Sequence, residues 1–480
     1  MAIPSPLAAS LSGLARLAAF RSSMMPWPAS KTARPRALRI QAQALLLALL
    51  SLLGLTVQAA PQIETWETSK GTPVLFVAAP DLPMVDARLV FRAGSARDGD
   101  RPGLASLTAE LLNQGAGDWD ADAIAERLEA IGAELSIEAQ RDMAALSLRT
   151  LSRQPALDQA LETLATIVAQ PLFTEGDLER VRANVLTSLN RDEQDPGTLG
   201  QKAVYRLIFG DHPYAQDPSG TPVSVSALSS EDLRRFHARY YVARNAVLAL
   251  VGALTRQAAT DLAERLTAGL AEGERAPTLP AVPEPDATIM QRVAFPSTQT
   301  HIYLGQAGMT RTDPDYFPLY VGNHILGGSG LVSLLMEEVR EKRGLSYSVF
   351  SYFLPLAERG PFLAGLSTKN DQAEQAREVL MTTIERFRSQ GPTQEELTAA
   401  IKNLTGGFPL RIAGNAKIAQ YLAMMGFYAL PMDYLDRFNE RIQAVTAEAI
   451  RDAFQRRLHP ARFASVIVGP QGEALAGQTP

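Results

Sequence analysis

The chain has 480 residues, of which 46% are hydrophobic and 20% charged, and it contains no cysteine. That length and balance build two to four domains with real cores. The missing cysteine excludes disulfides, thiolate metal sites and a cysteine nucleophile.

In chain order the first signal is a leader. Arg34, Arg36 and Arg39 precede an almost wholly apolar run of 14 residues at 44–57, and Val57 and Ala59 supply the small residues that a signal peptidase reads. Residues 1–60 are therefore expected to form a leader cut after Ala59, which places the protein in the periplasm. The run is short for a spanning helix, and the alternative is an uncleaved anchor that leaves the protein facing the periplasm. Removing the leader takes away six basic residues and no acidic one, leaving 40 Lys+Arg against 51 Asp+Glu, a net charge of −11. Phosphate binding needs a cationic stripe, so nucleic acid is not an expected partner.

Strands are predicted at 63–68 and 74–78, with an alternating stretch at 85–91. Helical spacing follows at 104–112 and 121–131, and alternation returns over 133–147. Amphipathic helices are predicted at 154–169, 174–192, 199–209 and 229–240, the last capped by Ser229 or Ser230, and a strand at 246–251 closes the unit. Residues 271–287 hold four prolines and no apolar period, as an interdomain linker does.

Beyond the linker the first unit recurs. The strand ending at Gly94 has a counterpart ending at Gly308, TEGDL at 174–178 recurs as TQEEL at 393–397, and LVG at 250–252 recurs as IVG at 467–469. The offset is about 215 residues each time, as a duplicated domain requires. The fold class is thus α+β: two duplicated domains at 61–270 and 288–472, each an antiparallel-rich sheet packed with helices, joined by the proline-rich linker at 271–287 and followed by a tail at 473–480.

Several local strings are specific when taken together: GLA at 103–105, HPY at 212–214 leading to GT at 220–221, FHARYY at 236–241, NAV at 245–247 and EVREKRGLSY at 338–347. With the order of elements, they make residues 62–472 resemble the pitrilysin/insulinase family of zinc metallopeptidases. The family's inverted His-x-x-Glu-His helix follows a Gly-Leu-Ala-like segment, and a distant Glu completes the zinc site. In this chain the matching positions are Ser106, Ala109 and Glu110, and the distal position falls on Thr187 or Ser188. One carboxylate cannot hold zinc. The five histidines, His212, His237, His301, His324 and His459, lie singly along the chain, without the i, i+4 pairing a replacement site needs.

The resemblance carries a second motif over intact. Arg340 and Tyr347 match the family's paired arginine and tyrosine, which act opposite the zinc on the peptide carbonyl. A helix over 331–343, broken by Gly344, is expected to turn into a strand over 345–352 and bring the two together. Spacing alone instead favours an ion-pair face for Arg340 and an ordinary half-buried strand position for Tyr347, and the longer matching string reverses that preference. Gly327, Gly328 and Gly330 lack the ending of a phosphate-binding loop. They read either as a tight turn or as a loop that admits a peptide backbone in substrate binding.

The resemblance therefore implies a zinc-less subunit that holds no cofactor, inactive alone, paired with a zinc-bearing His-x-x-Glu-His chain of the same family and acting on peptides. The rival is a non-enzymatic scaffold or peptide-binding subunit of an envelope assembly. Export is the first prediction: N-terminal sequencing of envelope-derived protein is expected to find Ala60 or a close neighbour first, and an intact leader would instead indicate the anchored form.

Overall fold

The computed structural model describes residues 62–284 and 287–470, so the expected leader and the tail lie outside the described residues. Two sheets organise it. The first contains β1 (Glu64–Glu67), β2 (Pro73–Ala78), β3 (Met84–Phe91), β6 (Glu134–Ala139), β7 (Ala144–Leu151) and β8 (Ala246–Gly252), in the order β1-β2-β8-β3-β7-β6. A separate small hairpin joins β4 (Gly115–Ala116) to β5 (Trp119–Asp120). The second sheet contains β9 (Ile289–Ala294), β10 (Gln299–Ala307), β11 (Val349–Phe353), β12 (Pro361–Lys369) and β13 (Ala464–Gly469), in the order β11-β12-β10-β13-β9.

The duplication is visible in this topology. Leaving out β1, the order β2-β8-β3-β7-β6 matches β9-β13-β10-β12-β11. β8 runs parallel to β2 and antiparallel to β3, as β13 does to β9 and β10. The repeated TEGDL and TQEEL strings start equivalent helices, Glu175–Asp192 and Gln394–Arg411, through the side chains of Thr174 and Thr393, which accept from the Asp177 and Glu396 amides. Such caps satisfy amides that a helix start leaves without partners.

β8 and β13 are buried at every residue, because each sheet is covered on both faces. One cover on each is exchanged. Helix Asn415–Tyr428, from the second repeat, packs on β8, β3 and β2 of the first sheet. Helix Pro196–Phe209, from the first repeat, packs on β10 and β13 of the second. Glycine permits both approaches: a Cβ at Gly426 would meet Val247 Cγ1 at 2.5 Å and Leu75 Cδ1 at 2.7 Å, and one at Gly200 would meet Tyr303 Cε2 at 2.5 Å.

A buried carboxylate ties the exchanged parts together. Asp142, in the turn between β6 and β7, accepts from the Tyr214 hydroxyl, from the Tyr428 hydroxyl at 2.9 Å and from the Ala357 amide at 2.7 Å. The segment 271–284 contains no helix or strand but is fastened along its length. The Ala276 amide donates to Asn245 Oδ1 at 2.9 Å, Pro280 O meets His212 Nε2 at 2.9 Å, and Val282 O accepts from Arg359 at 2.7 Å.

Several elements differ from expectation. The stretch 133–147 is two strands, since the chain reverses at Gln140 to Met143 with Asp142 inside the turn. The helix expected from 199 starts at Pro196, capped by Asp195. The predicted helix over 331–343 is a 3₁₀ turn, Gly330–Val332, followed by a π-helical segment, Met336–Glu341, and the strand expected from 345 starts at Val349. Among the described residues no helix is long and apolar enough to cross a membrane.

A branched side chain at Gly426 overpacks the exchanged interface, where such changes cost about 1–3 kcal/mol. Gly426→Val is therefore expected to lower stability by that order in urea unfolding. Gly406 sits mid-helix with nothing within 4 Å of an added Cβ. Gly406→Ala is accordingly expected to raise stability by about 0.5–1 kcal/mol, and equal effects of the two changes would show that the glycine contact is not limiting.

Candidate functional site

The helix Leu104–Leu111 carries the positions that match the family's metal motif. Its start is set by close backbone contact. Gly103, at φ +95°, would place a Cβ 3.1 Å from Ser219 O, and a Cβ at Gly220 would meet Pro102 O at 2.5 Å. The GLA and GT strings thus pack directly on one another. Asp98, 3% exposed, accepts from the Gly103 and Ala105 amides at 2.8 Å each. Burial pushes its carboxyl up to about 7 against those amides, which favour the ionised form.

On this helix the Ser106 hydroxyl donates to Pro218 O at 2.7 Å, and Ala109 is buried with no donor atom to offer a metal. Glu110 is exposed, yet desolvation by the surrounding protein raises its carboxyl. Thr187 donates to Ala183 O of its own helix at 2.8 Å. A hydroxyl committed to a carbonyl, a methyl group and one carboxylate do not fit zinc, which takes three or four strong N, S or O ligands. No group of three or more His, Asp or Glu suited to a metal occurs among the described residues. His212 and His237 serve structure. His212 Nδ1 accepts from the Tyr214 amide at 3.1 Å, and His237 Nε2 lies 2.8 Å from Val168 O, with its ring stacked on Tyr241.

The second repeat brings Arg340 and Tyr347 together, with the guanidinium carbon 4.6 Å from the phenol ring centroid. Tyr347 lies not on a strand but on a short loop, 81% exposed directly after the buried Leu345 and Ser346. Those neighbours hold it: the Leu345 amide donates to Val339 O at 3.0 Å, the Ser346 hydroxyl donates to Ser367 O at 2.6 Å, and Thr368 donates to Leu345 O. Arg340 touches Glu341 through Nε at 3.4 Å, which leaves its two terminal nitrogens without an acceptor among the described residues. The pair forms a displayed cation and phenol, suited to donate to one oxygen.

Glu338 secures this display. It is 5% exposed, two residues before Arg340, and pairs with Lys342 at 3.0 Å, Arg343 at 2.6 Å and Arg386 at 3.0 Å. Of the glycines ahead of the π segment, Gly327 is buried, and a Cβ there would meet Ser351 Oγ at 2.4 Å, so it serves packing. Gly328 and Gly330 are exposed beside Leu331 and Val332, which are 68% and 83% exposed. The sequence did not reveal the π-helical wind. Such segments are frequent at functional sites, but no residue pattern marks them.

The model for "Insulinase (Peptidase family M16)" matches residues 74–221, and that for "Peptidase M16 inactive domain" matches residues 227–404. A crystal structure of a peptidase M16 inactive domain from Pseudomonas fluorescens is 38% identical, with a TM-score of 0.83 over 87% of this chain and 100% of that one. The non-peptidase homolog YmxG of Helicobacter pylori is 28% identical, over 79% of this chain and 88% of that protein. An uncharacterized zinc protease of Streptomyces coelicolor is 26% identical, over 77% and 81%. The chain belongs to the M16 (pitrilysin/insulinase) peptidase family, and it is a non-catalytic member of it.

Burial acts to raise the Glu338 carboxyl, but Arg343, Lys342 and Arg386 outweigh it and hold the group at about 2. A depressed carboxylate stabilises the fold above its unfolded value, and that contribution is lost as pH falls from about 4 towards 2. Its partners are partly exposed, so Glu338→Gln is expected to cost about 1–2 kcal/mol at pH 7. The difference from wild type should vanish near pH 2. Urea unfolding at a series of pH values measures it, and a pH-independent difference would show that charge is not its source.

Proposed function

We propose that this chain is the zinc-less partner subunit of a periplasmic, heteromeric metallopeptidase. A zinc-bearing chain of the same family holds the metal and its water. Arg340 and Tyr347 of this chain donate to the peptide carbonyl oxygen as it gains negative charge. Divided chemistry carries the reading: the metal helix offers one carboxylate, while an arginine and a tyrosine stand in contact at 4.6 Å with the phenol 81% exposed. Donors fixed before the reaction stabilise developing charge without reorganising, provided that water is excluded, and closure by a partner supplies that exclusion. The exposed Gly328 and Gly330, with Leu331 and Val332 beside them, offer backbone access and apolar contact to a peptide. The Helicobacter relative, named a non-peptidase homolog, agrees with inactivity of the chain alone.

Copurification from the native envelope is expected to yield a His-x-x-Glu-His partner. Losing one preorganised oxyanion donor costs about 10²- to 10³-fold in turnover. In the assembled complex, Tyr347→Phe is expected to reduce peptide cleavage on that order, lowering kcat more than it raises KM. Arg340→Lys should not restore an Arg340→Ala loss, because an ammonium lacks the planar fork. Normal assembly with wild-type cleavage by both variants would replace this reading with that of a scaffold subunit.

A further inference from the structure

The second repeat has its own counterpart of the metal helix. Helix Tyr316–Asn323 follows β10 as Leu104–Leu111 follows β3, and the step from Gly94 to Gly308 carries Ser106 onto Tyr320. Helix Gln394–Arg411, the equivalent of Glu175–Asp192, packs beside it. Polar side chains of this helix pair form one connected cluster. Arg411, at the end of the second helix, donates to the Tyr320 hydroxyl. The Tyr320 ring stacks on Tyr316, with centroids 5.8 Å apart and planes 10° from parallel, and Arg311 Nη1 donates to the Tyr316 hydroxyl at 3.5 Å.

Neither arginine meets a carboxylate among the described residues; their side chains donate to the two phenols alone. The acids close to Arg311 in sequence are taken, Asp313 by Arg457 at 2.8 Å and Asp315 by Arg456 at 2.7 Å. Asp142 bonds the Tyr428 hydroxyl at 2.9 Å rather than Arg311, whose guanidinium carbon stands 5.5 Å from the centroid of that tyrosine's ring. Arg311 Nε is buried with no acceptor among the described residues, a rare state for a donor in a folded protein. Arg311, Tyr316, Tyr320 and Arg411 are all half-buried, so each also reaches solvent.

Two cations linked through stacked phenols, one of them with a buried N–H that lacks an acceptor, mark a place prepared for an anion. We propose that Arg311, Tyr316, Tyr320 and Arg411 bind the C-terminal carboxylate of a peptide. A guanidinium fork takes two carboxylate oxygens at once. The surroundings favour a peptide over an inorganic anion, because the site presents tyrosine rings and the Leu410 side chain, 71% exposed next to Arg411 in sequence, which suit an apolar last residue. The site uses neither Arg340 nor Tyr347 nor a partner subunit, so its failure leaves the reading of that pair standing.

The test uses the full mature chain alone. The probes are an unstructured peptide ending in leucine with a free C-terminus and the same peptide amidated, titrated calorimetrically at low salt. Wild type is expected to bind the free acid at least about tenfold more tightly than the amide, the scale of a charge-assisted hydrogen bond. Arg411→Gln, at a half-buried helix end, should remove that preference and leave the weaker binding of the amide as it was. Arg411→Lys keeps the charge but loses the fork. It is expected to weaken free-acid binding several-fold, and it carries the test should Arg411→Gln not fold. Tyr347→Phe should keep the full preference. No binding of the free acid, equal binding of acid and amide, a preference that survives undiminished in the Arg411 variants, or one that disappears in Tyr347→Phe would overturn the proposal.

Discussion

Each sheet of this molecule is completed by a helix from the other repeat. The inner faces of β2, β3 and β8 are apolar and cannot stay in water, and helix Asn415–Tyr428 covers them. The matching face of β10 and β13 receives helix Pro196–Phe209. Apolar burial at about 25 cal/mol per Å² makes such contacts the main stabilising term of a fold, and here that term is shared between repeats. Neither repeat is a closed core by itself. The Asp142 carboxylate, bonded to Tyr214 from one repeat and to Tyr428 and Ala357 from the other, adds direction to an otherwise unspecific apolar contact.

Within that frame the two motif regions have diverged. The helix Leu104–Leu111 keeps the backbone contacts and the Asp98 cap that position it, and what has gone is the donor set. Ser106 now donates to the distant Pro218 O and Ala109 serves packing, so the helix is retained as part of the core rather than for metal chemistry. The second repeat invests differently. Its π-helical wind places Glu338 inward beneath a ring of cations, while Arg340 and Tyr347, two and nine positions on, stand outward in contact. The buried Leu345 and Ser346 fix the loop on which the exposed tyrosine stands.

Much of the architecture was legible in the sequence because it is written in local chemistry. Thr174, Thr393 and Ser229 each precede a helix and cap it, and alternation marked β3. The recurring strings disclosed the duplication that the strand orders share. The turn at Asp142 was missed because it contains no glycine, proline or asparagine, being held by long-range hydrogen bonds instead. Helix Arg256–Thr267 also escaped, its apolar stripe resting on Ala259, Leu262, Ala263 and Leu266 after a dense run of polar residues. At the candidate site, the family resemblance named Arg340 and Tyr347, and the expected strand placed the tyrosine wrongly. Only the hydrogen bonds of Leu345 and Ser346 to distant segments determine that it sits on a loop. The exchange of helices was invisible for a related reason: an amphipathic stripe shows that a helix must be covered, not which sheet covers it.

The exchange also sets the order in which the molecule can be made. Leu75 and Gly426, which touch across the first interface, are separated by about 350 residues, and contacts of such separation form slowly because the intervening chain must first be closed. A chain synthesised from its N-terminus holds the apolar face of the first sheet uncovered until residues beyond Tyr428 have emerged. During that interval the most buried surface of the finished protein is its most adhesive one. Emergence of helix Asn415–Tyr428, rather than completion of the first repeat, is therefore the event that lets the first sheet close.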